Sequence, residues 1–425
     1  MDRRRVLCFS LLLSLLMAGC GAPRLTATPP SQASPTAVTP QPGEVTTPRP
    51  PTGPLVLWLP PAFAPQTEGA AGELLTARLA AFEQAHPGVR VAVRIKELSG
   101  RAGLLESLSA AFNAAPEALP DLIILPQDAL HTAALKGHVA PLDELLPPLQ
   151  APEWFDFARL AAQADGPLFG MPIGAEVDLF AFRTDLFTAP PAAWADLLAG
   201  PSLFVFAAGD PAASFTLAQY LALGGTLSGP DGRPALDVER LAEVFGFYHA
   251  ARTSGALPMS ARLIRTAGEA WPSVRDGQAQ AGTAPLREFL LQRDPALVSG
   301  GPLPTSGGEG IAFAEVWSWA MVTRAPERQA AVADLMAWLS APEFAGPWTR
   351  ALSLLPPSSS ALAQWPSGAD AVVVGRLVAS ARPRPPAEVR AIFGPPLRQV
   401  AEAVLVGELS PEAAAQAAAQ AVRPP

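Results

Sequence analysis

The sequence predicts an α/β protein of two domains, with mixed sheets flanked by helices, behind an export signal and a disordered leash. Three observations predict it. From residue 55 onward, short apolar runs of strand character alternate with stretches of helical spacing. About 370 residues follow the leash, which is more than one hydrophobic core usually organises. The only two cysteines, Cys8 and Cys20, lie in the first twenty residues. The body therefore holds no disulfide, even though the chain is exported, and has to be stabilised by its core.

The N-terminus sets the compartment. Asp2-Arg3-Arg4-Arg5 is a short, net positive segment, Val6 to Met17 is almost wholly apolar, and Ala18-Gly19-Cys20 supplies small residues for cleavage. That order is a secretory signal over residues 1–20, and its apolar run is shorter than the roughly 20 residues a spanning helix needs. Leu16-Met17-Ala18-Gly19-Cys20 resembles the lipoprotein signal, which implies that Cys20 is lipidated and anchors the mature chain to the outer face of a cell membrane. Residues 21–54 are crowded with proline and threonine and nearly free of apolar side chains, so they cannot offset ordering entropy by burial. At about 3.1 Å per residue such a Pro-rich tether reaches on the order of 100 Å. Removing Asp2 and the three arginines with the signal takes the formal charge from −8 to −10. With that charge and no basic run after the signal, nucleic-acid binding is not expected.

The body reads element by element. Leu55–Leu59 is a buried strand stopped by Pro60-Pro61, and Glu73–His86 carries Leu75, Leu79 and Phe82 at helical spacing until His86-Pro87-Gly88 ends it. Val89 to Ile95 alternates as a strand with one wet face, Leu104–Ala115 is helical, Asp121–Leu125 is a second buried strand and Ala129–Lys136 a further helix. This β-α-β-α-β-α order calls for a layered domain with a mainly parallel sheet. Later come a strand at Leu203–Ala207, helices at Ala213–Leu223 and Val238–Arg252, and a small-residue strand within Gly277–Thr283. A long apolar strand or strand pair follows at Ile311–Val322, then a helix at Glu327–Leu339. Ser410 caps a last helix with Pro411 at its first position, running to Val422.

Seven segments in this order resemble the type 1 family of extracellular solute-binding proteins, which includes the maltose-binding-like receptors. They are LTARLAAFEQAHPGVRVAVRIKE, LPDLIILPQDALHTAALKGHVAPLDELL, LFGMPIGAEVDLFAFRTDLF, PAAWADLL, WPSVRDGQAQAG, the stretch from AEVWSWAMV to LLPPSSSAL, and VLVGELSPEAAAQAAAQAV. The resemblance implies a type II periplasmic-binding-protein-like fold with a ligand cleft between two lobes joined by more than one crossover. Residues 55–173 and 312–350 then form lobe 1, and residues 174–311 and 351–425 form lobe 2. The tyrosine–asparagine pair usual in the third segment is Ala181-Phe182-Arg183-Thr184 here, a departure that bears on the ligand rather than the fold.

Candidate ligand contacts follow from strand periodicity. In an extended Gly174–Phe182, Glu176, Asp178 and Phe180 share a face, and two carboxylates there suit polyol hydroxyls. The matching family position is often a ligand-binding acid, which favours Glu176. Glu315, Trp317 and Trp319 also alternate on one face, and an aromatic beside a carboxylate can stack on a sugar ring or a cation. Of the two tryptophans, Trp317 is expected at the cleft. Trp58 ends the first strand, Gln127 and Asp128 follow a strand's carboxyl end, and Trp271 precedes a proline in the second lobe; each is a further candidate. Solvated loop acids and core tryptophans are the plain alternatives at all of these positions.

Four scattered histidines, with no cysteine in the body to join them, show no metal-ligand spacing, and no nucleophile elbow, P-loop or dinucleotide motif occurs. Neither an enzyme nor a cofactor is expected. The reading is a monomeric, lipid-anchored receptor that binds a small solute, a carbohydrate first, and delivers it to the transmembrane subunits of an ABC permease. A receptor for a cation such as a polyamine, or a ligand sensor without a transporter, is the alternative.

Overall fold

The computed structural model describes residues 52–67, 69–146, 153–199 and 203–422. The expected signal peptide, the candidate lipidation position Cys20 and nearly all of the expected tether lie outside the described residues. Among the described residues nine strands occur: β1 Leu55–Leu59, β2 Val91–Ile95, β3 Leu122–Pro126, β4 Met171–Arg183, β5 Phe204–Val205, β6 Ala281–Pro285, β7 Val298–Gly301, β8 Ala312–Met321 and β9 Ala381–Pro383. They join in the order β2-β1-β3-β8-β4-β6-β5, with β7 on β4 and β9 on β8. The β-α-β-α-β opening gives parallel β2-β1-β3 pairing, and β8 then enters antiparallel to β3.

Strand β4 is the backbone link between two halves of the sheet. Its Met171–Val177 half pairs with β8, and its Asp178–Arg183 half pairs with β6 and β7. Thirteen residues at roughly 3.3 Å each carry it about 43 Å. Strand β8 crosses the same region, pairing with β3 near its end and with β9 near its start.

The core divides along the same line. On one face of the first half, Leu55, Leu57, Leu122, Ile124, Trp319 and Met321 meet helices Ala70–Ala85, Pro326–Ser340 and Pro342–Leu352. On its other face Trp58, Ile123 and Leu125 meet helix Leu104–Ala114. The alternation of the strands is what sends their residues to two separate layers. The second half is built on aromatics: Phe204, Phe206, Phe215, Phe245, Phe247 and Tyr248 pack with helices Ala387–Val406 and Pro411–Ala421. In that last helix Ser410 accepts from the Ala413 N–H and Pro411 stands at N1.

The entry to β1 is clamped. Arg328 donates to both oxygens of Asp121 and to the carbonyls of Thr52 and Pro54, at 2.9 and 2.8 Å for the carbonyls, while Asp121 also accepts from the Val56 N–H at 2.8 Å. This charge-assisted fork fixes where the folded body begins.

Candidate functional site

Three cavities meet where β4 passes from one half of the sheet to the other. A cavity of about 350 Å³ is walled by Glu176, Asp178, Asp210, Thr283, Glu315 and Arg384, with Arg265, Phe215 and Phe313 around them. A second, of about 230 Å³, lies against Phe63, Arg287, Glu288 and Leu354 and shares Glu176 and Asp178 with the first. A third, of about 360 Å³, is lined by Leu98, Leu105, Asp128 and Trp317 together with Glu176 and Glu315. Glu176 borders all three. Cavities of this size, at a junction of lobes and with a few polar groups converging on them, are the usual form of a small-molecule site.

The alternation of β4 makes this possible. Glu176 and Asp178 are its two exposed positions, while Ala175, Val177 and Leu179 are buried on the other side. Glu176 accepts a hydrogen bond from Trp317 Nε1 at 3.1 Å, across the β4–β8 pairing. Burial raises the Glu176 pKa, the Trp317 bond opposes the rise, nearby Glu315 adds to it, and Arg287 and Arg384 counter it. Asp178 is open to water along the cavity wall yet surrounded by protein, and burial pushes its pKa up to about 6. Arg384 opposes that shift, and Asp210, Glu176 and Glu288 reinforce it. Glu315 forms an ion pair with Arg384.

The structure brings Glu176, Asp178, Glu315 and Trp317 together at the cavities. Trp317 is mostly covered, with its ring 4.9 Å from Phe63, and presents its indole N–H edge to Glu176. Trp319 lies behind it, stacked on Trp348 in the core. Asp128 lines the third cavity but is engaged by Arg390 and accepts the Ala387 N–H at 3.1 Å. Gln127 is 4% exposed and donates to the Arg384 carbonyl at 3.0 Å. The pair therefore ties helix Gln127–Leu135 to the start of helix Ala387–Val406, and of the two only Asp128 borders a cavity.

Two expectations are corrected. Trp271 is fully buried, packs 5.6 Å from Phe289 and donates Nε1–H to Gln292, so it is a core residue and lines none of the three cavities. The apolar stripe of helix Ala267–Arg275 faces the sheet, and Trp271 lies on it. Trp58 points to the layer under helix Leu104–Ala114, with the Lys96 ammonium 4.5 Å from its ring, and likewise borders none of them.

Sequence reasoning missed Asp210, Thr283, Glu288, Phe63, Arg265 and Arg384. Two had local signals. Thr283 is a lone hydroxyl in the small-residue strand Ala281–Pro285. Arg384 sits in Arg382-Pro383-Arg384-Pro385-Pro386, where the prolines forbid helix and leave an extended crossing segment. Asp210 is placed by a tight loop: its carboxylate accepts from Ala212 and Ser214, and Ala213 takes a positive φ of 48°.

Comparison with known proteins adds three findings. The family model described as bacterial extracellular solute-binding protein matches residues 77–372. No curated protein sequence matches the chain. Among solved structures, the sugar-binding protein MalE of Xanthomonas citri superposes with a TM-score of 0.70 at 22% identity, covering 87% of this chain and 96% of that one. The cyclic α-maltosyl-1,6-maltose binding protein of Arthrobacter globiformis gives 0.67 at 20% identity, over 87% and 98%. The GacH receptor of Streptomyces glaucescens, solved unliganded and with acarbose, gives 0.59 at 21%, over 87% and 97%. At such identities the likeness carries the fold.

Proposed function

Because the chain belongs to the bacterial extracellular solute-binding protein family, we propose that it is the receptor of an ABC importer, binding a carbohydrate in the cleft around Glu176 and Asp178. The observation that carries this reading is the convergence of three cavities on Glu176, at the strand that runs from one half of the sheet into the other. Ionised carboxylates accept two hydroxyls each, the Trp317 edge and Phe63 supply apolar surface, and the crossing strands are natural hinges for closure. The superposed MalE and cyclic maltosyl-maltose binding proteins, described as sugar binders, point to the same ligand class.

In this reading the loaded receptor docks on permease subunits from the outer face of the membrane, held there through Cys20 and its tether. No helix among the described residues is long and apolar enough to cross a membrane. The test is a thermal-shift screen of the full-length chain against mono- and oligosaccharides, amino acids and polyamines. A ligand at 100 times its Kd adds about 2.7 kcal/mol of stability. A screen in which amino acids shift the transition and no sugar does would refute the carbohydrate assignment.

A further inference from the structure

Resting on the carbohydrate reading, we propose that the solute carries a protonated amine that docks between Asp178 and Thr283, so that the receptor prefers amine-bearing sugars to their neutral counterparts. Four carboxylates line the first of the cavities that meet at Glu176: Glu176, Asp178, Asp210 and Glu315. Three are engaged. Glu176 accepts from the Trp317 indole, Asp210 from the Ala212 and Ser214 N–H groups at 2.9 and 2.8 Å, and Glu315 from Arg384. Asp178 takes no hydrogen bond and no ion pair from any described residue.

The second observation is independent of the acids. Thr283 is 5% exposed, lines the same cavity, and its hydroxyl has no partner. Asp178 stands opposite Pro285, and Phe180 opposite Thr283, across the antiparallel β4–β6 pair. Asp178 and Thr283 are therefore diagonal neighbours on one face, about 7 Å apart by the geometry of such pairs. A single small group fits between them. A buried hydroxyl without a partner costs free energy, so a ligand atom that satisfies it is favoured.

Charge separates an ammonium from a hydroxyl as that group. The charged groups around Asp178 are Glu176, Asp210, Glu288 and Glu315 against Arg384, Arg287 and Arg265, so that, with Asp178 itself, acids outnumber cations. Burial is the main cause of the raised proton affinity of Asp178; Arg384 opposes it, and Asp210, Glu176 and Glu288 add to it. A neutral hydroxyl would complete the hydrogen bonds and leave that excess standing. An ammonium has three donors and no acceptor, so it can reach Asp178, Thr283 and Glu176 together and also offset the charge.

The experiment is calorimetric titration of the full-length chain near neutral pH with matched pairs: glucosamine against glucose, galactosamine against galactose, and a chitosan dimer against cellobiose. The expected result is at least tenfold tighter binding of the amine member of one pair. That advantage should shrink in high salt and disappear in Asp178→Asn, which weakens the amine member of the pair more than its neutral partner. Thr283→Val is expected to weaken the amine member several-fold. Equal affinity within every pair that binds, or an amine preference that survives Asp178→Asn, overturns the proposal and leaves the carbohydrate reading intact. Absence of binding by every sugar, neutral or amino, overturns both.

Discussion

Replacing Asp178 by asparagine removes a charge that the free cleft holds without a partner, and the effect on folding has a sign fixed by the structure. The folded carboxyl titrates at about 6, against an ordinary value of 3.8. Between those pH values the folded chain holds the proton more tightly than the unfolded chain does. Stability from this group is therefore full below about pH 4 and is lost as pH rises through about 6. A shift of about two units corresponds to at most about 3 kcal/mol. Water reaches this carboxylate, so screening brings the expected gain in Asp178→Asn down to about 1 kcal/mol at neutral pH. The assay is urea unfolding of ligand-free wild type and variant at pH 7.5 and pH 4. The variant should be more stable at the higher pH, with the difference closing at the lower. A destabilised variant at pH 7.5, or a gain that does not change with pH, would refute the picture of an unpartnered, crowded carboxylate.

Trp271→Ala should cost about 3–5 kcal/mol in unfolding experiments, as for a large core aromatic, and leave the solute affinity of the folded fraction unchanged. Arg328→Met strips Asp121 of its buried partner and frees the carbonyls of Thr52 and Pro54. The cost should be about 2–4 kcal/mol, with faster protease cutting at the start of the body. Arg390→Met breaks the tie from Asp128 to the start of helix Ala387–Val406. Its cost should be about 1–2 kcal/mol because the pair is only partly buried, and small-angle scattering should detect a more open ligand-free chain.

Much of the fold was legible because its cause is local. The alternation of Val91 to Ile95, the Leu75-Leu79-Phe82 stripe and the Ser410-Pro411 cap each specify their element without reference to distant residues. Glu176 and Asp178 were legible for the same reason: period-two alternation on β4 puts both on one face. What the pattern could not reveal was which layer each face meets. Trp58 and Trp271 have the same local look as a cleft tryptophan, yet the helices lying over them, Leu104–Ala114 and Leu286–Gln292, turn them into core residues. Asp128 was placed correctly at a strand's carboxyl end, but its partner Arg390 is 262 residues away in sequence, beyond any local signal. Arg384, Asp210 and Thr283 reach the cavity from three separate segments, and only the pairing of β4 with β6 and β8 brings them together.

The most direct test of the central claim is calorimetric titration of the best sugar from the thermal-shift screen into wild type and into Glu176→Ala. Glu176 borders all three cavities, so its loss removes a charged acceptor and releases the Trp317 indole. One site per chain and a Kd raised at least tenfold in the variant are expected, in line with about 1.5–3 kcal/mol for a hydrogen bond to a charged group. A sugar that binds wild type and Glu176→Ala with the same affinity would contradict that claim.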